Sequence, residues 1–411
     1  MCGICGIYSN ENENNNFRIK KMLSLLHHRG PDGEGQWNDD KINMGHRRLS
    51  IVDLSQAGNQ PFLNEKKDVV LVCNGEIYNA KSLRKNLIKK GHSFISKSDN
   101  EVIVHLYEEM GIDLVDQLIG MYAFAIWDKK KETLFLARDR IGEKPIYYSH
   151  QNGVFYFSSE IKPIMEVWNR SPDLAEYTFS NFLGLDSMPA PYTSFKNIHL
   201  LPPASILKFN SNNVKVYKYW KLNFLNAQKK WNYDEALSEF KFEIERAVKY
   251  TSISDVDVGL LLSGGIDSSI IAKILQNKKT NNQKSFCISS NNVISENIEM
   301  ERSSKVAQIF GFKHTNHTFD INEIVKLPRI IHAYEQPISN FPALFTDNFM
   351  KKISKELKVV LSGIVADEVF LGYNGYQRSL FKSNILDKFS KNKITYLSAK
   401  LFLKNNNIIS K

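Results

Sequence analysis

The chain has 411 residues, 42% hydrophobic and 24% charged, with a formal net charge of +10. That composition excludes a disordered or fibrous chain and leaves room for two or three domains with packed cores. No apolar run approaches the ~20 residues of a membrane span. The opening MCGICGIYSNENENNN lacks the basic region and apolar length of a secretory signal, so a cytoplasmic protein without a membrane partner is expected. The lysines fall in short runs, such as Lys66-Lys67, Lys89-Lys90 and Lys129–Lys131, as solvated helix faces and loop tips do. No nucleic-acid-binding motif accompanies them, and nucleic acid is not an expected partner.

Cys2 and Cys5 stand three apart at the front of the chain. A C-x-x-C pair can be a redox couple or half a zinc site. Yet Cys2 becomes the first residue if Met1 is removed, and a terminal cysteine carries a thiol beside an amine of pKa about 8 that can take its proton. The chain has four cysteines, no second C-x-x-C and no Cys/His cluster, so a structural metal is not expected. Cys5, Cys73 and Cys287 sit among apolar residues and read as buried small hydrophobes.

Residues 1 to about 160 are rich in short β-like runs broken by Gly and Asn: 67–79, 120–128, 131–140 and 152–160. Two helices interrupt them. One spans 17–27, with Ile19, Met22, Leu23 and Leu26 on one face; the other follows Asp99, with Val102, Ile103, Leu106 and Tyr107 at helical spacing. The proline-rich stretch 186–205 reads as a connector or a wrapped loop. From about 233, helices alternate with short all-apolar strands at 255–263, 284–289 and 357–363, the pattern of a parallel α/β sheet buried on both faces. The last thirty residues are rich in Lys and Asn and carry no closing element.

DVGLLLSGGIDSSIIAKIL (257–275) is the most informative segment: a buried strand, Ser263-Gly264-Gly265, then a helix. Two glycines let the backbone approach a phosphate, and the N–H groups and dipole of the helix N-terminus favour its charge. Asp267 could hold Mg²⁺ bridging phosphate oxygens. No Gly-Lys-Ser/Thr follows, so this is not a Walker loop. The string S-G-G-x-D-S-S resembles the pyrophosphate loop of ATP pyrophosphatases.

HRGPDGEG (28–35), GHRRLSIVD (45–53), NGEIYN (74–79), SDNEVI (98–103) and ARDRIGEKPIYY (137–148) together resemble the class II, N-terminal-nucleophile glutamine amidotransferases. With SGGIDSS downstream, the chain resembles the glutamine-hydrolysing asparagine synthetases from Cys2 to about Tyr376. The resemblance implies an α+β αββα sandwich followed by an α/β parallel-sheet domain like that of the ATP pyrophosphatases. The expected divisions are an amidotransferase domain at 2–205, a connector at 206–232 and a synthetase domain at 233–411, incomplete at its C-terminus. Cys2 would attack the glutamine amide, with Asn74 and Gly75 as the oxyanion hole. Arg48 would clamp the glutamine carboxylate beside the backbone of Leu49, Ser50, Ile51 and Val52. Glu76 and Asp99 would take its ammonium. Leu262, Ser263, Gly264, Gly265, Asp267, Ser268 and Ser269 would bind ATP, with Ile288 near the adenosine and Ser362 and Gly363 contributing. Asp267 and Asp367 would hold Mg²⁺, and Glu299 would lie near the site. HAYEQPISN (332–340) resembles the family's acidic-Pro segment. In the family, ammonia passes internally from the first site to an acyl-adenylate.

The second synthetase signature of the family reads S-G-E-G-[SA]-D-E-x-F-x-G-Y, and here it is SGIVADEVFLGY (362–373). Ile364 replaces a Glu that supports acyl transfer, and Val365 replaces a Gly, a residue that often marks backbone a side chain would block. Relatives from polysaccharide-type gene clusters share an aliphatic at the first position. The chain also stops 38 residues after Tyr373, where family members continue into a helical stretch. The expected function is synthesis of asparagine from glutamine, aspartate and ATP. Two alternatives stand beside it: a different carboxylate acceptor in surface-polysaccharide synthesis, and a glutaminase whose truncated synthetase half is inactive. A homodimer is an open expectation.

Overall fold

The structure, a computed structural model, describes residues 1–10, 15–168, 172–210, 213–223, 231–276, 283–290, 294–319, 321–337, 339, 342–373 and 375–376. The lysine-rich end, the middle of the expected connector and Asn340 lie outside the described residues. The chain falls into two compact units: residues 1–258 with 318–359, and residues 259–317 with the segment from 360 onward.

The first unit begins with β1 (Gly3–Tyr8), α1 (Asn15–Leu25), β2 (Gly33–Asn38), β3 (Ile42–Arg48), β4 (Phe62–Leu63) and β5 (Val69–Ile77). Then come α2 (Ala80–Lys89), α3 (Val102–Met110), β6 (Gly120–Asp128), β7 (Thr133–Arg138), β8 (Tyr147–Gln151) and β9 (Val154–Ser158). After α4 (Ile161–Val167) and α5 (Thr178–Leu185) come β10 (His199–Leu200), β11 (Ser205–Asn210), β12 (Asn213–Lys218) and α6 (Tyr233–Thr251). Two six-stranded sheets result, in the orders β10-β8-β9-β1-β3-β2 and β12-β11-β7-β6-β5-β4.

The apolar pattern explains why the two sheets stack. In β5, Val70 and Val72 join one core cluster while Val69, Leu71, Cys73 and Ile77 join another. In β6, Ala123, Ala125 and Trp127 divide from Tyr122, Phe124 and Ile126 in the same way. A strand whose alternate residues enter two cores has no polar face, so it reads as a continuous apolar run. The first cluster, with Ile4, Tyr8, Ile42 and Met44 from the other sheet, fills the space between the sheets. The second is covered by α3, through Val102, Ile103, Leu106 and Tyr107. On the far face of the β1 sheet, Cys5 and Ile7 meet Ile19, Met22, Leu23 and Leu26 from α1 and its C-terminal turn, and Ile161 and Ile164 from α4. The layering is the αββα order that the resemblance implied.

The helix at 17–27 is observed at 15–25, and Leu26 keeps its place in the core. The proline-rich stretch wraps the first unit, burying Thr193, Ser194, Ile198 and Leu201. The second sheet does not end near 205: β11 pairs with β7, and β12 pairs with β11 as far as Lys218. The α6 helix starts where sequence chemistry favours it. Asn232 caps it by accepting the Glu235 N–H at 2.9 Å, Asp234 and Glu235 face its positive end, and Lys249 sits in its last turn.

The remaining elements are β13 (Val258–Leu261), α7 (Ile266–Gln276), β14 (Lys284–Ser290), α8 (Ile294–Phe310) and β15 (Lys313–Phe319). They are followed by α9 (Leu327–Tyr334), α10 (Pro342–Ile353), β16 (Val359–Leu361) and α11 (Ala366–Phe370). The four strands form a sheet in the order β15-β14-β13-β16, in which β13 and β14 are parallel. Helices joining short apolar strands of one sheet match the α/β expectation. Helices α9 and α10 belong to the first unit. Glu335, just past α9, accepts the N–H groups of Ile161 and Lys162 at 2.6 and 2.7 Å and so caps α4.

Val365, the valine in a family glycine position, has φ +82°. That left-handed region is open to glycine and strained for a β-branched side chain. Such strain is of order ~1–3 kcal/mol. Val365→Gly is therefore expected to stabilise the segment around α11, read as slower amide exchange at Ala366–Phe370 than in the wild type.

Candidate functional site

Cys2 is held from three directions. It directly precedes β1, whose Gly3 pairs with Arg47 of β3. Because β3 ends one residue later, Leu49 lies beside Cys2 and its N–H donates to Sγ at 3.4 Å. Arg29, in the turn after α1, donates from Nε to the Cys2 carbonyl at 2.9 Å and from a terminal nitrogen to Glu160 Oε1 at 3.0 Å. His28 Nε2 lies 2.8 Å from the same carboxylate oxygen. Gly30 must be glycine, since a Cβ there would lie 2.4 Å from the Arg47 carbonyl carbon. The HRG string is thus a brace for the chain start.

Burial pushes the Cys2 thiol up, an effect eased by the Leu49 N–H, the chain-terminal amine and Arg48. A thiol held neutral needs a base before it can attack. Met1 is in place here and carries the amine. Burial lowers that amine to about 6, so it is a free base at neutral pH.

Asn74 and Gly75 lie on β5, opposite Ala123 and Tyr122 of β6. On the other edge β5 pairs with β4 only at Val70 and Leu71. Beyond that, Gln60 does what a strand would do: its side-chain amide accepts the Cys73 N–H at 2.6 Å and donates to the Cys73 carbonyl at 3.1 Å. Asn100 then spans the site, accepting from the Cys73 thiol at 3.2 Å and donating to the Gly75 carbonyl at 3.1 Å. Gly75 is required by close packing, because a Cβ would come within 2.4 Å of the Met121 carbonyl oxygen. Asn74 is buried, and its Nδ2 has no hydrogen-bond partner. A buried amide donor left unpaired is unfavourable by ~1–3 kcal/mol, and a ligand oxygen would satisfy it.

Arg48 is buried and shapes the loop that follows it. Its terminal nitrogens donate to the carbonyls of Ser55 (2.7 Å), Val52 (3.3 Å) and Asp53, and to Asn59 Oδ1 (3.0 Å). Gly58 leaves room for the guanidinium; a Cβ there would sit 2.1 Å from it. Asp53, at φ +59°, accepts from Ser55 and from the Lys97 N–H (2.7 Å), and its own N–H donates to Asp255 (2.7 Å). The Ser50 N–H donates to Asp32 at 2.8 Å. Leu49, Ser50, Ile51 and Val52 therefore form a fixed, half-buried rim next to Cys2.

Glu76 and Asp99 supply negative charge. Burial, then the Asp99 charge, raises Glu76 to about 7 against the pull of Lys144. Burial raises Asp99 to about 6, limited by N–H groups that include Ile77, which donates at 2.6 Å. Lys144 comes from the ARDRIGEKPIYY string, folded around the buried Asp139. That carboxylate accepts the N–H groups of Gly142 (2.7 Å), Glu143 (3.0 Å) and Lys144 (3.0 Å).

In the second unit, the Leu262 N–H donates to the Phe286 carbonyl at 2.8 Å, carrying the β13–β14 ladder to the edge of the loop. Ser263 Oγ accepts the Gly265 N–H at 3.3 Å and lies 3.1 Å from Ser268 Oγ; Ser269 Oγ donates to the Gly265 carbonyl at 2.7 Å. Gly264 has φ +76°, and a Cβ on it would be 2.6 Å from the Ser303 nitrogen of α8. Asp267 lies in the first turn of α7. Gly363 packs here as well, its Cβ position 3.1 Å from the Ser268 nitrogen. Ser362 Oγ accepts the Ile364 N–H at 3.2 Å. Ile288 is half-buried on β14. The exposed Glu299 of α8 lies near enough to Cys287 for its charge to help raise that thiol, after burial. Asp367 sits at the start of α11, against Gly372. Among the described residues no third His, Cys, Asp or Glu ligand groups with Asp267 and Asp367. Two hard carboxylates without a cage would suit Mg²⁺, which favours oxygen ligands.

Sequence reasoning singled out Cys2, Arg48, Asn74, Gly75, Glu76 and Asp99, and the charges of Arg48 and Asp99 reach the Cys2 thiol while that of Asp99 reaches Glu76. It missed Gln60, Asn100 and Lys144, which position or charge the same site. Asn100 and Lys144 fall inside quoted strings, but Gln60 carries no local signal.

Residues 1–220 match the family model described as a glutamine amidotransferase domain, and residues 239–409 match the one described as asparagine synthase. The chain is 31% identical over 386 residues to asparagine synthetase [glutamine-hydrolyzing] 1 of Bacillus subtilis, covering 92% of this chain and 60% of that protein. It is 32% identical over 396 residues to synthetase 3 of the same organism, covering 91% and 63%. A second asparagine synthetase homologue of Methanocaldococcus jannaschii is 32% identical over 417 residues, covering 95% and 79%. The chain thus spans about three-fifths of the length of the B. subtilis relatives. Two family models in order, and identity of this extent across nearly the whole chain, mean that the chain belongs to the glutamine-hydrolysing asparagine synthetase family.

Proposed function

We propose that the chain hydrolyses glutamine at Cys2 and passes the ammonia to a carboxylate activated by ATP, aspartate giving asparagine. The observation that carries the first half is the unpartnered amide of Asn74 beside Gly75, in a site built at a chain-start cysteine. After removal of Met1, the Cys2 amine takes the thiol proton and Sγ attacks the side-chain carbonyl of glutamine. Asn74 Nδ2 and the Gly75 N–H receive the oxyanion. The proton returns to the leaving ammonia, and water then releases glutamate from the thioester. The rim from Leu49 to Val52, set by Arg48, receives the substrate carboxylate, and Glu76 and Asp99 receive its ammonium.

In the second half, Leu262 to Ser269 with Ser362 and Gly363 hold the ATP phosphates, Ile288 meets the adenosine, and Asp267 and Asp367 hold Mg²⁺. The acceptor carboxylate attacks the α-phosphorus and pyrophosphate leaves; ammonia then attacks the acyl carbon and AMP leaves. We assign the two-sheet sandwich, through β12, to the amidotransferase and the segment from 233 onward to the synthetase, and place the enzyme in the cytoplasm. No helix among the described residues is long and apolar enough to cross a membrane. A second reading, in which the acceptor is a carboxylate other than aspartate, is favoured by the exposed Ile364 and the strained Val365 where the family signature has Glu and Gly.

The full chain, given glutamine, aspartate, ATP and Mg²⁺, is expected to form asparagine and pyrophosphate in equal amounts. Glutamate release without pyrophosphate would refute the synthetase half. Pyrophosphate appearing only with another carboxylate would favour the second reading.

Cys2→Ala is expected to abolish glutamate release while ammonia-driven pyrophosphate formation continues. Asn74→Ala is expected to lower kcat for glutamine by about 10²–10³-fold, the loss of one oxyanion donor.

The raised carboxylates set a pH dependence. Both must be ionised to take the substrate ammonium, so kcat/KM for glutamine should rise with pH through about 6–7 and level off above. Glu76→Gln should move that rise toward lower pH, leaving Asp99 to set it.

A further inference from the structure

The α2–α3 side of the second sheet carries a cluster that the proposed reaction does not use. Glu65, in the turn between β4 and β5, His92, just past α2, and His105 and Glu108 on α3 turn ligand atoms toward one another, all within 4.8 Å. His92 Nδ1 lies 3.6 Å from both Glu65 Oε1 and Glu108 Oε2. His105 Nδ1 lies 3.4 Å from Glu65 Oε2 and 3.7 Å from Glu108 Oε2. Around zinc, tetrahedral bonds of about 2.0–2.2 Å separate ligand atoms by roughly 3.3–3.6 Å. The four groups stand at nearly that spacing.

A second observation points to a ligand. His105 is 1% exposed, and neither of its ring nitrogens has a hydrogen-bond partner. Glu108 Oε2, facing both imidazoles, has none either. A buried imidazole and a carboxylate oxygen left unpaired are unfavourable, whereas a shared cation satisfies both.

The groups behind the ligands complete the pattern. His92 directs Nδ1 inward and Nε2 to Glu109 at 3.1 Å; His105 directs Nδ1 inward and Nε2 toward Glu101 at 3.8 Å. Asn64 donates to Glu108 Oε1 at 2.9 Å, and the Ser93 N–H donates to Glu65 Oε1 at 2.8 Å. Carboxylates behind histidines and donors behind carboxylates are how metal ligands are oriented. Arg84 and Lys90 face the outer carboxylates Glu101 and Glu109, and Lys66 lies 4.0 Å from Glu108 Oε1, the oxygen turned away from the imidazoles. We propose that Glu65, His92, His105 and Glu108 form a closed four-coordinate site for a divalent transition-series cation, zinc by its two-imidazole, two-carboxylate donor set. The ion would staple the β4–β5 turn and the segment after α2 to α3.

Untagged full-length protein, stripped with chelator, equilibrated with Zn²⁺ and desalted, is the test, with bound metal read by mass spectrometry. About one equivalent per chain is expected, and Co²⁺ in its place should show tetrahedral visible absorption. His92→Ala and Glu65→Gln, at partly exposed positions, should each lower retained zinc about tenfold or more while circular dichroism shows the chain folded. Cys2→Ser should retain zinc as the wild type does. Folded wild-type protein that retains no zinc would overturn the proposal. So would zinc unaffected by His92→Ala, or zinc lost in Cys2→Ser, which would assign the metal to the chain-terminal thiol.

Discussion

Most of the first site depends on how the outer edge of β5 is finished. The strand is nine residues long, but β4 covers only its first part, and a bare edge would leave the backbone at Cys73 to water. Gln60 closes that gap with a two-way amide contact, and Asn100 fixes the next carbonyl. The strand is therefore held on both edges through Asn74 and Gly75, by β6 on one side and by side-chain amides on the other. Arg48 does similar work across from them, by drawing the carbonyls of the 52–55 turn onto one guanidinium. Side chains take the place of secondary structure around the candidate site.

The sequence made the layers and the chemical groups legible for a physical reason. Strands buried on both faces are continuously apolar, helix α1 has a one-sided pattern, and terminal cysteine chemistry needs no distant partner. The Ser263–Ser269 loop is local too, with Gly264 held at positive φ against α8. The supports were less legible because they join residues far apart. Gln60 meets Cys73 only once β4 has paired with β5, and Arg29 meets Glu160 only once β9 has joined β1. The two-residue strands β4 and β10 carry no periodicity, and β11 and β12 extend the sheet past the point where a composition change suggested its end.

Metal chemistry shows the same limit from another side. Spacing rules look for ligands a few residues apart, and by that measure the cysteines offered nothing. His105 and Glu108 are one helical turn apart, but Glu65 and His92 reach them from a hairpin turn and from the end of another helix. Only the packing of three elements on one sheet brings four donors together. The burial of His105 without a partner is a property of that packing and leaves no trace in the string of letters.

Glu335 closes the end of α4 with two hydrogen bonds, although about 170 residues separate them. Ser159, two residues before α4, in turn exchanges hydrogen bonds with Ile4 on β1. The limit of the first unit drawn by its sheets, at Lys218, is therefore not the limit drawn by its hydrogen bonds. A fragment cut after β12 would keep every strand of the sandwich yet leave the Ile161 and Lys162 donors without their acceptor, two links from the strand that begins beside Cys2. The piece tied together by hydrogen bonds is longer than the piece tied together by strands.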